Sequence, residues 1–237
     1  MQERSAERGS EAVPTSGPLI AGEVSLPEVM ARLKQDRPVF YSERDLQHSF
    51  ARVLWELAPD IRSRLEVRQN APDAVGAEYL DLLCIGHAVR TAIEFKYFTA
   101  EWIGAVGQPP EEYALKSHDS DDVARLRFVS DIARLERFGN RPDQNGLALL
   151  ITNAVSLWTP SKRDTTRDRE FRIHPGRTLT GRLLWGGGDY PRNTRTLRGT
   201  YPLNWQPYSL QDGPRGEFRY LAVSVAAELT PPLTPQP

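Results

Sequence analysis

Residues 79–97 read YLDLLCIGHAVRTAIEFKY, two apolar runs of strand length on either side of the turn-forming pair Gly86-His87. Two such runs joined by a short glycine-containing turn are typical of a β-hairpin. Each run carries charge among its apolar residues, Asp81 in the first and Glu94 and Lys96 in the second. Charged groups within an otherwise apolar strand are candidates for a functional site.

A two-residue turn would pair Ile85 with Ala88 and would place Asp81 opposite Ala92. Because side chains alternate between the faces of a strand, Glu94 then becomes the diagonal neighbour of Asp81, at roughly 7–8 Å between Cβ atoms. Two carboxylates at that spacing repel each other and can converge on one divalent cation. We expect Mg²⁺, with Mn²⁺ as the alternative, because such ions prefer oxygen ligands and keep positions for water and a phosphate.

Lys96 falls on the same predicted face as Glu94 and would stand beside the metal as a positive charge. An ordinary ion-pair cluster on a solvated sheet face is the alternative interpretation. The opposite face of the hairpin is apolar and suffices for a core in either case. Its predicted members are Leu80, Leu82, Ile93, Phe95 and Tyr97.

Helical patterns flank the hairpin. Ser42 followed by Asp45 approximates a capping box, and apolar residues then recur at helical spacing until Pro59 ends the helix. A strand is predicted over residues 65–69, a second helix over 121–138 and a buried strand over 147–152. The exposed face of the second helix would carry Arg125, Arg127 and Arg134, and the polar stretch that includes Gln108-Pro109-Pro110 indicates a flexible loop. The predicted order is therefore helix, three strands, helix, strand.

This arrangement resembles the PD-(D/E)xK nuclease superfamily, whose core has that order and whose hairpin bears an acid and a Glu-x-Lys element. Asp81 matches the acidic position, and Glu94-Phe95-Lys96 matches the Glu-x-Lys element. The resemblance covers residues 41–153. Segments that also resemble a group of bacterial proteins of this superfamily are Tyr41-Ser42-Glu43, the hairpin over residues 81–97, Tyr113-Ala114-Leu115-Lys116, Arg134-Leu135-Glu136 and Leu150-Ile151-Thr152-Asn153.

The motif departs from the family pattern because Leu80, and not proline, precedes Asp81. Literal Pro-Asp pairs occur at Pro59-Asp60, Pro72-Asp73 and Pro142-Asp143. Pro72-Asp73 lies at a plausible distance before the Glu-x-Lys element, but its Ala, Pro and Gly neighbours indicate a loop. Asp81 is therefore the preferred acid.

The resemblance implies a restriction-endonuclease-like α/β fold, an αβββαβ core with a mixed central sheet flanked by helices, and metal-dependent hydrolysis of nucleic acid, DNA first. It implies that Asp81, Glu94 and the Phe95 carbonyl hold the metal, and that Lys96 orients or helps to deprotonate the attacking water. Glu43 matches the helix-borne Glu of the family, although a Glu in a first helical turn also interacts favourably with the helix dipole. A nuclease-like module without turnover, which binds nucleic acid or a protein, is the alternative.

The net charge of −1 provides no overall attraction to nucleic acid, so local charge matters more. Residues 161–200 hold ten Lys and Arg against four Asp and Glu, and arginine suits phosphate as a bidentate donor. A solvated Arg-rich loop is the alternative. The predicted nucleic-acid contacts are Arg125, Arg127, Arg163, Arg167 and Arg169.

We predict a single domain over residues 23–229, with the nuclease-like core at 41–153 and a β-rich extension at 160–229 that packs on the same sheet. Tails without ordered structure are predicted at 1–22 and 230–237, because these segments are rich in polar residues or proline and lack periodicity. No apolar run is long enough to span a bilayer, so we expect a cytoplasmic protein without membrane contact. The sequence leaves open whether the chain is a monomer or a homodimer.

Overall fold

The computed structural model describes residues 17–69, 77–117, 120–139 and 141–227. Its helices are α1 (Leu26–Asp36), α2 (Glu43–Leu57), α3 (Asp121–Phe138) and α4 (Val155–Trp158). Its strands are β1 (Leu19–Ile20), β2 (Val24–Ser25), β3 (Arg62–Gln69), β4 (Glu78–Ile85), β5 (Arg90–Phe98), β6 (Trp102–Val106), β7 (Glu111–Leu115), β8 (Gln144–Thr152), β9 (Thr178–Leu183), β10 (Arg195–Pro202), β11 (Trp205–Leu210) and β12 (Glu217–Val225). None of the described helices has the length and apolar character needed to cross a membrane.

Six strands form a mixed central sheet in the order β11-β12-β8-β5-β4-β3. β5 and β8 are parallel, and the other neighbouring pairs of this sheet are antiparallel. The fold is therefore mixed α/β, as the sequence predicts. The predicted succession of helix, three strands, helix and strand is present as α2, β3, β4, β5, α3 and β8.

The centre of the sheet is buried on both faces. Side chains of β8 alternate between two apolar clusters, with Leu147, Leu149 and Ile151 on the α2 side and Ala148 and Leu150 on the α3 side. A strand that contributes to both layers must be apolar at successive positions. This requirement accounts for the continuous apolar run that predicts the strand.

α2 begins and packs as the sequence predicts. The Ser42 hydroxyl accepts a hydrogen bond from the Asp45 amide, which satisfies one of the free N–H groups of the first turn. The apolar stripe faces the sheet, and the rings of Phe50 and Phe95 meet edge to face with centroids 5.1 Å apart. This cap places Glu43, in the first turn, beside the sheet.

α3 is enclosed between two layers. The central sheet covers one side, and β9 and β10 form a separate two-stranded sheet whose apolar residues join the α3 cluster. The prediction that the whole C-terminal portion packs on the central sheet is therefore wrong for β9 and β10. It is confirmed for β11 and β12, which extend that sheet beyond β8.

The hairpin register differs from the prediction. Ile85 pairs with Arg90, and Leu82 pairs with Ile93, so four residues and not two form the loop. The shift is by two residues, and side chains of a strand repeat every two residues, so it changes the partners without changing the faces. In the observed register, Asp81 therefore lies at the level of Glu94 on β5, and not opposite Ala92.

The predicted apolar face is wrong at Leu80. Leu80 packs in the α3-side cluster, whereas Leu82 packs in the α2-side cluster, so the alternation of β4 breaks at Asp81. On β3, the ladder passes from the Leu65–Leu82 pair to the Val67–Leu80 pair, and the intervening residue has a positive φ. At this break the Asp81 side chain accepts a hydrogen bond from the Phe95 N–H of β5.

Three other expectations concern loops and ends. The polar stretch after β5 is not an irregular loop, because β6 and β7 form a hairpin there. Residues 17–22 of the predicted N-terminal tail contain β1, and Ile20 is 1% exposed because it packs with the α2-side cluster. Residues 1–16, Pro72-Asp73 and the C-terminal tail at 230–237 lie outside the described residues.

A buried carboxylate attaches β10 to α3. Glu136 is 5% exposed and accepts hydrogen bonds from the amides of Arg198 and Gly199 and from the Tyr201 hydroxyl. These donors lie at the irregularity of β10, where the register shifts between Leu197 and Thr200. Glu136 thus satisfies backbone groups that the ladder with β9 leaves unpaired.

We expect Glu136→Ala to lower the free energy of unfolding by about 3 kcal/mol, because it leaves several buried donors without an acceptor. Glu136→Gln keeps one acceptor oxygen and should cost less. Urea denaturation followed by circular dichroism measures both values. An Ala variant as stable as the wild type would show that the hydrogen bonds do not support the C-terminal layer.

Candidate functional site

The site lies where β4 separates from β5. The two strands pair from Leu82 to Ile85, but β5 continues to Phe98 without β4 beside it. Two backbone amides of β5 that this separation leaves without a β4 partner donate hydrogen bonds to carboxylates. Asp81 Oδ2 accepts the Phe95 N–H at 2.8 Å, and Glu43 Oε2 accepts the Tyr97 N–H at 3.0 Å. Both acids that the sequence predicts outside the Glu-x-Lys element therefore bind β5, Asp81 within the element and Glu43 at the residue that follows it.

Glu94 points to the α3 side of the sheet and is 1% exposed. Its Oε2 atom lies 2.7 Å from a guanidinium nitrogen of Arg134. Its Oε1 atom is buried and has no hydrogen-bond partner among the described residues. A buried carboxylate oxygen without a partner is costly, so this atom marks a place where a cation or a proton would stabilise the site.

Lys96 joins the predicted acids to α3. Its ammonium group lies 3.1 Å from Asp131 Oδ2 and 3.8 Å from Glu43 Oε1. It also donates to the Phe95 carbonyl at 2.7 Å. Burial alone would lower the pKa of Lys96, but the nearby carboxylates, Asp131 first, outweigh burial and raise it. The group is therefore a cation at neutral pH.

Asp131 and Arg134, three residues apart on α3, complete the cluster and are absent from the sequence-based site. Asp131 is 2% exposed, and its Oδ1 atom lies 3.3 Å from Arg134. Asp131 is a charged residue within the apolar stripe of a helix, between Phe128 and Ile132, and this signal could have identified it. The helical pattern predicts Arg134 on the exposed face of the helix, but its side chain pairs with Glu94 of the sheet.

The cluster holds more negative than positive charge. The carboxylates of Glu43, Asp81, Glu94 and Asp131 face the two cations Lys96 and Arg134. With all six groups ionised, the surplus is two negative charges.

Burial and the surplus of negative charge change the pKa values of the two most buried acids, Glu94 and Asp131. Burial, with repulsion from Asp131 and Asp81, raises the pKa of Glu94 to about 9, although Arg134 and Lys96 oppose the shift. Burial likewise raises the pKa of Asp131 to about 6. The protein therefore favours a proton, or another cation, at the centre of the cluster.

The chemistry of two carboxylates in the cluster suits a divalent ion. Mg²⁺ is commonly bound in proteins by one or two carboxylates and several waters. Asp81 and Glu94 supply such a pair, and the unpartnered Glu94 oxygen is an open donor. The Phe95 carbonyl, predicted as a third ligand, is hydrogen-bonded to Lys96 here. No group of three or more His, Cys, Asp or Glu side chains in the described part of the chain is arranged to hold a metal.

The predicted nucleic-acid contacts differ in exposure. Arg125 is 9% exposed and pairs with Asp168 at 2.5 Å, so its prediction as a surface contact is wrong: the C-terminal layer encloses it. Arg167 is exposed, but it pairs with Asp122 at 2.6 Å. Arg163 is exposed on the same loop, Arg169 is exposed at the start of the 3₁₀ helix Arg169–Phe171, and Arg127 is exposed on α3.

Comparisons with known proteins add no assignment. No protein-family model matches the chain, and no curated protein or solved structure matches it significantly.

The raised pKa of Glu94 predicts a pH dependence of stability for the metal-free protein. Unfolded Glu94 titrates near 4.5, and the folded group titrates at about 9, so the folded state retains a proton that the unfolded state has lost between these values. We therefore expect the free energy of unfolding in EDTA to fall as the pH rises from 6 to 9, by up to about 1.4 kcal/mol per pH unit.

Urea denaturation at several pH values measures this slope. Glu94→Gln should flatten it, because the amide does not titrate, whereas the exposed control Glu112→Gln should retain it. Equal slopes in wild type and Glu94→Gln would mean that Glu94 is ionised throughout this range.

Proposed function

We propose that this chain is a metal-dependent nuclease of the PD-(D/E)xK type that hydrolyses phosphodiester bonds of nucleic acid, with DNA as the first candidate. One observation carries the proposal. Asp81, Glu94 and Lys96 converge with Glu43 at a strand separation, in a partly buried cluster with a surplus of negative charge. The sequence motif predicts the same four residues without using this geometry.

The order of elements supports the same proposal. α2, β3, β4, β5, α3 and β8 follow one another as in the core that the sequence resembles, and α2 and α3 lie on opposite faces of the sheet. An ordinary ion-pair cluster predicts neither this order nor the burial of Glu94. We infer a restriction-endonuclease-like fold on this basis.

Each residue has a role that follows from its contacts. Asp81 and Glu94 would hold Mg²⁺, which lowers the pKa of bound water and stabilises negative charge on a phosphate oxygen. Lys96, a cation held by Asp131 and Glu43, is suited to orient the attacking water and to stabilise charge, more than to accept a proton. Glu43 fixes the Tyr97 amide and so holds β5 in place.

A nuclease-like module without turnover is the second candidate, and a specific observation favours it. Arg134 pairs with Glu94 at 2.7 Å, and Lys96 occupies the Phe95 carbonyl. Internal cations thus contact two of the three groups that the motif assigns to a metal. If these contacts persist in solution, the cluster stabilises the fold, and the chain binds a nucleic acid or a protein without cleaving it.

Asp81→Asn should abolish metal-dependent cleavage while it leaves the thermal transition near that of the wild type. The amide oxygen can still accept the Phe95 N–H, but the charge that would hold the metal is lost. We would incubate both proteins with linear, circular and single-stranded DNA in Mg²⁺, Mn²⁺ or EDTA. The loss of activity should be at least a hundredfold.

The matched control is Asp60→Asn, because Asp60 is exposed and follows α2 outside the cluster. This variant should cut like the wild type. Cleavage by Asp81→Asn at the wild-type rate would place the chemistry elsewhere, and lack of cleavage by the wild type on every substrate would favour the module without turnover.

Metal binding should also be visible without activity. At about tenfold excess over its Kd, Mg²⁺ should stabilise the folded protein by about 1.4 kcal/mol, a rise in Tm of roughly 3–6 °C for a chain of this size. Asp81→Asn and Glu94→Gln should lose this rise, and Glu112→Gln should keep it. Differential scanning fluorimetry measures all four proteins, and an equal rise in each would indicate a metal site elsewhere.

A further inference from the structure

A crevice of about 260 Å³ lies at the carboxyl ends of β5 and β8, the parallel pair of the central sheet. Ligands of α/β sheets commonly bind beyond the carboxyl ends of parallel strands. Phe98 lines the crevice and follows Lys96 by two residues on β5, so both side chains point to the α3 face. The crevice therefore adjoins the Asp81–Glu94–Lys96 cluster along one strand.

Asn153 assembles the walls of the crevice from three parts of the chain. It is fully buried, and its Oδ1 atom accepts the Ala100 N–H at 2.8 Å. Its Nδ2 group donates to the carbonyls of Ala100 and Arg215 at 3.3 and 3.0 Å. One side chain thus joins the ends of β5 and β8 to the turn between β11 and β12.

Arg215 has a backbone conformation that residues other than glycine seldom adopt. Its φ is 62°, in the left-handed region that glycine enters without steric cost, and glycines stand nearby at Gly213 and Gly216. Residues held in such conformations by their surroundings cluster at functional sites. Here the hydrogen bond from Asn153 to the Arg215 carbonyl helps to hold that conformation. The Arg215 side chain is exposed and lines the crevice.

The guanidinium of Arg215 is available for a ligand. It makes no ion pair with any residue in the described ranges, unlike Arg125, Arg134 and Arg167. Arginine presents paired donors that match a phosphate group. Val155, 49% exposed on the same crevice, offers an apolar contact for a base or sugar, and Asp121 offers an acceptor.

We propose that this crevice binds one nucleotide of the nucleic acid beside the phosphodiester at the cluster, with Arg215 on its phosphate group. The inference rests on the proposed function and specifies the substrate contact of the same site. The volume is suited to one nucleotide unit of a strand, so we expect single-stranded nucleic acid to occupy it.

The test measures binding without cleavage. Fluorescence anisotropy measures the affinity of wild type and of Arg215→Gly for a fluorescein-labelled single-stranded oligodeoxyribonucleotide of twelve nucleotides, in EDTA. Glycine removes the guanidinium and adopts the positive φ more readily than arginine, so folding is not at risk. We expect affinity to fall about five- to tenfold, and the slope of log affinity against log salt to decrease by about 0.7, the value for one phosphate contact on a single strand.

Two further variants sharpen the result. Arg68→Ala removes an exposed arginine from β3, at the opposite edge of the sheet, and should bind within twofold of wild type. Arg215→Lys keeps the charge without the paired donors and should fall between wild type and Arg215→Gly.

Wild-type affinity in Arg215→Gly, an unchanged salt slope, or absence of binding by the wild type would overturn the crevice proposal. Weaker binding by Arg215→Gly supports it whatever the cleavage assay shows. If Asp81→Asn still cuts while Arg215→Gly binds weakly, the crevice is a nucleic-acid site and the proposed hydrolytic cluster fails.

Discussion

The separation of β4 from β5 after Ile93 is the constraint on which the site depends. A strand inside a protein cannot leave its amides unpaired, so the N–H groups of Phe95 and Tyr97 require acceptors other than a neighbouring strand. The carboxylates of Asp81 and Glu43 supply them. Two acids from different elements are thereby brought to one point of β5, and the alternation of β4 must break at Asp81 for its side chain to reach the strand. The same distortion that disrupts the hairpin thus assembles the cluster.

Burial then determines the chemistry of that point. α3 covers the face of β5 that carries Glu94 and Lys96, and the C-terminal layer in turn covers α3. Water is excluded from Glu94 and Asp131, and the charged form of each becomes costly. Lys96 and Arg134 offset only part of this cost, because four carboxylates face two cations. A proton on Glu94 stabilises such a cluster. The divalent ion that we propose would act on the same surplus of negative charge.

Much of the fold follows from local patterns. The Ser42 cap, the apolar stripe of α2 and the unbroken apolar run of β8 each reflect one short-range requirement, and the structure contains each as predicted. The errors arise where distant parts of the chain meet. The hairpin loop has four residues and not two, and the stretch after β5 pairs with itself as β6 and β7. Arg125 is a charged residue that the sequence predicts at the surface, but it is buried, where it pairs with Asp168, 43 residues further along the chain.

The sequence by itself determined which face of β5 carries charge. Strand periodicity places Glu94 and Lys96 on one face of β5, and a register error of two residues leaves that result unchanged. Helical capping likewise places Glu43 at the start of α2. Only the tertiary structure decided which groups meet there. Asp131 and Arg134 reach the cluster because α3 packs across β5, and Asn153 presents Arg215 because the turn after β11 folds back on the ends of β5 and β8. Local patterns encode the direction of a side chain, whereas partners remote in sequence are brought together only by packing.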